Sequence, residues 1–451
     1  MSDQPFAYPA MRLPGSIARI RNGQIEKSDV TRDIPLRSIL KGGFLVDPLN
    51  KIESPMDLAF IGGRITEVAE KIYPESGDLV YNVHDLLICP GLLDMHVHLG
   101  DLFEVTTEPI VRAAADGVTI GLSPGAGNTF MAPALLGAEV DRGLPMHVGV
   151  YLGAASSFGT SLSNDELVSL FNGTLDEEIS FQKMTRNPIT FLTAPMVIGI
   201  KDHIGHWIAT DMQIERIYDV TSRAGLVFMS HTQDPAHSER LAGLSKGRPV
   251  HLAHANAAGC GTHDSPVSGM RRITDLLAQP NISGEFVTSM LRPGGGNREG
   301  LLMPKAAQEI AYEALADGKV TVMVSDGQGD ATMKGFGDTR DNVPCILELA
   351  EMGVLDLTQA VATMTINPAR LLARLTRQGW WTNELGHLGV GARANITVID
   401  RLDKSATFVF VDGTLAGFEN RLVRKAYGAG GLICKYGIIN HLGVGDLPMR
   451  D

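Results

Sequence analysis

The chain of 451 residues is long enough to bury a large core, and 44% apolar with 20% charged residues is globular composition, neither disordered nor coiled-coil. A balance of 39 basic against 51 acidic residues gives a net charge of −12, and no run of Lys or Arg interrupts it, so nucleic acid and anionic membrane are not expected as partners. Four scattered cysteines (Cys89, Cys260, Cys345, Cys434) form no C-x-x-C pair, residues 1–30 carry no apolar leader, and no uninterrupted apolar stretch reaches membrane-spanning length. A soluble protein of the reducing cytoplasm is expected.

Residues 1–36, with Pro5, Pro9, Pro14 and Pro35, read as an extended arm that packs on another surface. Over 37–85 short apolar runs alternate with turns: Leu40 to Val46, Asp57 to Ile61, a Gly62-Gly63 hairpin signal, then Ile65 to Val68. From Leu86 the rhythm changes to apolar strands separated by helix-compatible stretches. The strands predicted are Cys89–Val97, Val118–Ser123, His147–Gly153, Phe191–Ile200, Leu226–Ser230, Val250–Ala253, Ile282–Thr288 and Val320–Ser325. Their continuous apolar character implies burial on both faces, as in parallel sheets. Eight of them with helices between predict a (β/α)8 TIM barrel over 86–385. Asp356 and Thr358 are candidate caps for a helix carrying Ala360, Val361 and Met364, and Asn367-Pro368 opens a short helix over Ala369–Leu375. After Gly386 short strands return, with Ile396–Ile399, Thr407–Val411 and an Asp412-Gly413 turn. Residues 37–85 and 386–430 together predict one small β-sandwich domain built from both chain ends, followed by a tail over 431–451.

The chemistry gathers at the ends of the predicted barrel strands. His96 and His98 form an H-x-H pair at the end of the first, and alternation sends both imidazoles to one side. The fourth strand ends in Lys201, the fifth in His231, the sixth in His254 and the eighth in Asp326. These ends are the rim where such barrels place their active sites. Neutral imidazoles and a carboxylate suit zinc, manganese or cobalt. An ammonium beside a metal is repulsive, whereas Lys201 carboxylated by carbon dioxide would be an anionic ligand able to bridge two ions.

The chain resembles the amidohydrolase superfamily of metal-dependent hydrolases, in its binuclear, carboxylated-lysine form. The resemblance rests on Pro90-Gly91-Leu92-Leu93-Asp94-Met95-His96-Val97-His98, on the Lys, His, His, Asp order, on Thr365-Ile366-Asn367-Pro368-Ala369-Arg370, and on Gly386 to Asp400 with Ala394-Asn395-Ile396-Thr397-Val398. It covers about residues 37–415, and Ile198-Gly199-Ile200-Lys201 looks most like the dihydroorotase and amidohydrolase/deacetylase branches. The resemblance implies two divalent ions, Zn²⁺ or Mn²⁺: His96, His98 and Asp326 on the more buried one, His231 and His254 on the other, carboxylated Lys201 between them. It also implies a bridging hydroxide as nucleophile and Asp326 as the group that takes its proton and passes it to the leaving nitrogen.

Other residues carry a plainer reading beside the functional one. His251 reads as a core histidine on the opposite face of its strand from His254, His147 as a residue of the barrel bottom, His203 and His206 as loop residues, and Asp330 as a loop acid. Arg292, before the glycine-rich Gly294-Gly295-Gly296, is a candidate clamp for a substrate carboxylate, or else a surface arginine. Tyr151 is a candidate oxyanion donor, and Ser123 to Asn128 either shapes the pocket or turns the chain. The function expected is hydrolysis of a C–N bond in a cyclic amide or N-acyl substrate. A mononuclear deaminase, favoured by the acid in His231-Thr232-Gln233-Asp234 but not by Lys201, remains an alternative, as do a lactone or ester hydrolase and a catalytically silent scaffold. A small-molecule substrate is the expected partner, and assembly with further copies of the chain is expected.

Overall fold

The computed structural model describes residues 17–26, 36–99, 108–125, 128–203, 208–296, 300–327, 335–419, 421–423 and 428–444. Eight strands form the barrel: Leu92–Asp94, Val118–Ser123, His147–Gly153, Gly199–Asp202, Val227–His231, Val250–Ala253, Ile282–Val287 and Val322–Val324. Each pairs in parallel with the next. The eighth closes on the first through backbone bonds from Asp326 N–H to His96 O (2.8 Å) and from His98 N–H to Gly327 O (2.9 Å). The structure is thus a TIM barrel with a second, β-sandwich unit. In that unit nine strands drawn from both chain ends share one ladder system, in which Leu87–Pro90 lies between Ser38–Asp47 from the N-terminal part and Ile396–Asp400 from the C-terminal part. Its own core joins Leu40, Leu58, Phe60, Ile88, Val398 and Phe410. Both predicted hairpin turns form: Gly62-Gly63 joins Ile61 to Arg64 and Asp412-Gly413 joins Val411 to Thr414, with positive φ at both central residues of each, the twist that matches paired strands.

Four expectations are corrected. The predicted first strand, Cys89–Val97, is two: Leu87–Pro90 belongs to the sandwich and Leu92–Asp94 to the barrel. The chain crosses at Gly91, where a Cβ would come within 2.3 Å of Thr119 Oγ1, and an extended chain changing partners leaves no mark on hydrophobic periodicity. The predicted Phe191–Ile200 strand is a helix, Pro188–Thr193, followed by a short strand, Gly199–Asp202. Asn187-Pro188 is the local reason: the Asn187 side chain accepts the Ile189 N–H (3.0 Å), and proline at the first helical position lacks a donor the helix would leave orphaned. Asp356 caps Leu357–Ala362 as expected, but Thr358 turns away and donates to Glu53 (2.6 Å). Finally, the described part of the predicted tail, residues 431–444, is built into the fold. Leu432–Cys434 lies parallel to the third barrel strand at Val148 and folds back as a hairpin with Gly437–Ile439. Gly149 makes room for it, since a Cβ there would sit 2.6 Å from Ile433 Cγ2. Lys435 is buried beneath, donating to Asn172 Oδ1 (3.0 Å) and Ala224 O (2.5 Å).

Of the predicted N-terminal arm, the described part is a hairpin, Arg19–Arg21 with Gln24–Glu26, whose entry is held by Ala18 N–H on Leu442 O (2.9 Å).

Candidate metal centre

The rim residues converge. His96, His98 and Asp326 each present one ligand atom within 4.8 Å of the others, and all three are buried. Asp326 Oδ1 lies 3.1 Å from both His96 Nε2 and His98 Nε2. Its other oxygen accepts the Phe336 N–H (2.9 Å). The His254 ring stands 5.2 Å from His96 and 4.5 Å from His231, centroid to centroid. Lys201, inside its strand rather than beyond it, is 1% exposed, and its charge acts on both His231 and His254. His96, His98, His231, His254 and Asp326 thus form one cluster, and Lys201 lies near enough for its charge to act on two of them.

Two of the six sit in left-handed backbone: His254 at φ 39° and Asp326 at φ 47°. That conformation is uncommon for residues other than glycine and concentrates where surrounding structure forces it. It also breaks the strand alternation used to separate His251 from His254. Both side chains reach the same neighbourhood, because His254 is already turning into the Ala255–Cys260 3-10 helix.

The electrostatics suit bound cations. Burial, helped by the Lys201 charge, draws His231 down to about 3; burial likewise takes His254 well below the ordinary range, so both rings stay neutral ligands. His231 Nδ1 and His254 Nδ1 are buried with no hydrogen-bond partner among the described residues. Burial alone would raise Asp326, but the flanking His96 and His254 hold it well below the carboxylate range, ionised. Glu285, on the seventh strand and fully buried, was not singled out by the sequence. One of its oxygens meets His96 Nδ1 and the other accepts from His251 Nε2 (2.8 Å). These imidazoles outweigh its burial and hold it down to about 2. His96 is therefore flanked by carboxylate on both ring nitrogens. Two acceptors cannot both be satisfied by one neutral imidazole; a proton or a metal ion must occupy the Nε2 side. The donor set thus fits divalent ions. A second missed carboxylate, Asp94, ties the rim strands together, accepting His96 N–H (3.1 Å) and Ser325 N–H (3.0 Å). Burial raises it to about 6, with the Glu285 charge adding to the rise.

The remaining candidates separate. Arg292 is committed to two carboxylates: its fork holds Glu348 bidentately (3.0 and 2.9 Å) and its other nitrogen holds Asp341. It lines a cavity of about 580 Å³ together with Ser289, Gly294, Asp341 and Glu348, and none of the six rim residues takes part in that lining. Asp234 caps the Pro235–Ser245 helix through Ala236 N–H (2.9 Å), which takes away the acid on which a deaminase reading leaned. Tyr151 is fully buried, its ring packed over Gly199 and its hydroxyl without a hydrogen-bond partner among the described residues. His203 comes alongside His231, ring centroids 4.5 Å apart. His147 accepts Gly431 N–H at the barrel's lower end (3.0 Å). In the Ser123 to Asn128 loop, Asn128 anchors to Tyr151 O (3.3 Å), while Ala126 and Gly127 lie outside the described residues, as do His206, Arg298 and Asp330. Among the described residues no helix is long and apolar enough to cross a membrane.

Comparison with known proteins agrees with this geometry. The profile of the amidohydrolase family matches residues 87–416. A dihydroorotase of Geobacter sp. (strain M21) is 21% identical over 411 residues, covering 80% of this chain and 89% of the relative. A dihydroorotase of Syntrophus aciditrophicus (strain SB) is 25% identical over 410 residues, covering 81% and 90%. Among solved structures, a D-hydantoinase superposes with a TM-score of 0.65 at 17% identity, over 89% of this chain and all of the other. A dihydropyrimidinase from Brevibacillus agri NCHU1002 gives 0.63 at 15%, over 90% and 99%.

Proposed function

The chain belongs to the amidohydrolase family, whose members are metal-dependent hydrolases of C–N bonds, and on that premise we propose that it opens a cyclic amide with a pair of divalent ions, zinc or manganese. His96, His98 and Asp326 would hold one ion, His231 and His254 the other, and Lys201 as a carbamate would stand between them. Bound there, the ions supply Lewis-acid polarisation of the amide carbonyl and an acidified water. Asp326 accepts the proton of the attacking water and returns it to the ring nitrogen as the C–N bond breaks. Its ionised state in a buried setting suits the first half of that task, and its position between two histidines keeps the oxygen oriented. Tyr151 is the proposed O–H donor to the reacting carbonyl, since its hydroxyl has no other partner.

The observation that carries the reading is the buried cluster of His96, His98 and Asp326, beside His231 and His254, with one imidazole, His96, caught between two carboxylates. A cyclic substrate is favoured over an N-acyl one by the relatives, which are named for dihydroorotate, hydantoin and dihydropyrimidine chemistry. The test is a ring-opening assay on those three rings, run beside N-acyl amino acids and lactones, with zinc or manganese supplied and metal content measured. Turnover of a cyclic amide by protein holding two metals per chain is expected. Turnover confined to lactones or N-acyl amino acids would overturn the substrate reading, and one metal per chain in bicarbonate-supplemented preparations would overturn the binuclear one.

A further inference from the structure

Beneath the rim, the barrel interior carries a polar layer where aliphatic side chains usually pack. Its centre is Glu285, with no lysine or arginine among its hydrogen-bond partners. Oε1 meets His96 Nδ1 and also accepts the His254 backbone N–H (3.3 Å). Oε2 accepts from His251 Nε2 (2.8 Å), and His251 Nδ1 in turn lies 3.0 Å from Ser283 Oγ. A buried carboxylate is tolerated only when its lone pairs are met by donors. Glu285 has nothing to donate, so both ring nitrogens facing it must carry protons. Ser283 can donate to the remaining nitrogen of His251, which completes that branch with neutral groups. On the other branch, a proton on His96 Nδ1 leaves Nε2 as a free lone pair directed at Asp326 Oδ1.

We propose that Glu285 is the positioning residue of the metal centre: it locks His96 in the Nδ1–H tautomer, the one form in which Nε2 can bind metal, and adds a fixed negative charge beneath the ions. Partners of this kind orient ligating histidines and raise their basicity. Here the same carboxylate spans three strands. Through one side chain it ties His96 on the first, His251 and the His254 amide at the sixth, and its own position on the seventh, so the two halves of the metal site share a common brace. Two divalent ions also bring more positive charge than Asp326 and a carboxylated Lys201 offset, and Glu285 narrows the difference from outside the coordination shell. The inference rests on the metal reading above.

Glu285→Gln separates the two. Glutamine keeps the shape but presents one acceptor and one NH₂. If the NH₂ faces His96, Nδ1 must accept, the proton moves to Nε2 and the metal site loses a ligand; in either orientation the fixed charge is gone. The measurement is zinc alone, competed against a chromogenic chelator, on wild type, Glu285→Gln and His251→Gln, with circular dichroism of each metal-free protein. Zinc affinity is expected to fall about 10- to 100-fold in Glu285→Gln, the usual loss for such partners, and to stay within a few-fold of wild type in His251→Gln, where Glu285 still faces His96. A Glu285→Gln protein that is folded and binds zinc like wild type overturns the proposal while leaving the metal reading intact. Wild type that binds no zinc overturns the metal reading instead. Should Glu285→Gln not fold, ¹⁵N spectra of the wild-type histidines decide the matter: a His96 ring protonated at Nδ1 supports the assignment, and one protonated only at Nε2 defeats it.

Discussion

Lys435 makes the sharpest quantitative test of the way the C-terminal hairpin is built into the barrel. Its amine is buried, has no carboxylate partner among the described residues, and donates to Asn172 Oδ1 and Ala224 O; burial draws it from 10.5 down to about 7. Between those values the folded protein holds fewer protons than the unfolded chain, so stability must rise with pH across that window. Below about pH 7 the amine is charged in both states and the full desolvation penalty is present; above about pH 10 it is relieved. At about 1.4 kcal/mol per pH unit the whole swing is roughly 5 kcal/mol as an upper bound. Lys435→Met removes the titrating group while keeping an unbranched chain in the same slot. The quantity to follow is the wild-type minus variant difference in unfolding free energy, from urea titrations at about pH 6, 8 and 10. Other buried groups titrate alike in both proteins and cancel. Trp380 is a built-in reporter, since its Nε1 donates to Lys435 O (2.8 Å) and its ring stacks on Trp381. The difference is expected to climb in favour of wild type as pH rises. A flat difference would mean that Lys435 keeps ordinary lysine behaviour and that the hairpin is not seated in solution as described.

Three further outcomes follow from the site. Lys201→Ala should abolish turnover, and short carboxylic acids added at high concentration should restore part of it by standing in for the carbamate; absence of rescue at any acid concentration counts against carboxylation but not against metal binding by the histidines. Asp326→Asn should fold, because its oxygen can keep the Phe336 N–H, yet lose about 10²- to 10⁴-fold in kcat with a smaller change in KM, as removal of a proton acceptor does; a kcat near wild type would take the proton-transfer role from Asp326. Arg292→Met should leave KM unchanged and lower stability by about 1 kcal/mol, the scale of a half-exposed bidentate ion pair; a KM rise at unchanged stability would return Arg292 to the substrate.

The sequence made the barrel legible because its parallel strands are apolar on both faces, and the sandwich legible because its turns carry Gly-Gly and Asp-Gly signals. His147–Gly153 and Val250–Ala253 coincide with their predicted limits, and the six rim residues could be found by reading which side chain follows each strand. What stayed hidden has a common cause: it depends on partners distant in sequence. The crossing at Gly91 is invisible because an extended chain looks the same in either sheet. The fourth strand was misjudged because a short buried helix and a buried strand are equally apolar, though Asn187-Pro188 announced the helix. The insertion of Leu432–Cys434 depends on Gly149, some 280 residues earlier, lacking a side chain. Glu285 sits in Ile-Ser-Gly-Glu-Phe-Val, where a lone acid reads as an outward-facing residue. The one available signal was its parity with Ser283, two polar side chains on one face of an otherwise buried strand.

The two left-handed residues show why fold regularity and site geometry had to part. A regular strand would carry His254 to the face opposite His251, out of the pocket, and would aim Asp326 along the barrel wall. Each turn into positive φ costs about 1–2 kcal/mol for a side chain with a Cβ. The surrounding bonds hold both turns in place. Glu285 takes the His254 amide, His96 O takes the Asp326 amide, and Gly335 and Gly337 pack so tightly that a Cβ at Gly335 would lie 1.7 Å from Asp326 O. The strain thus falls on two of the residues proposed to hold metal, one for each ion. Stability is given up where the proposed ligands converge and recovered in the packing of the rest of the barrel.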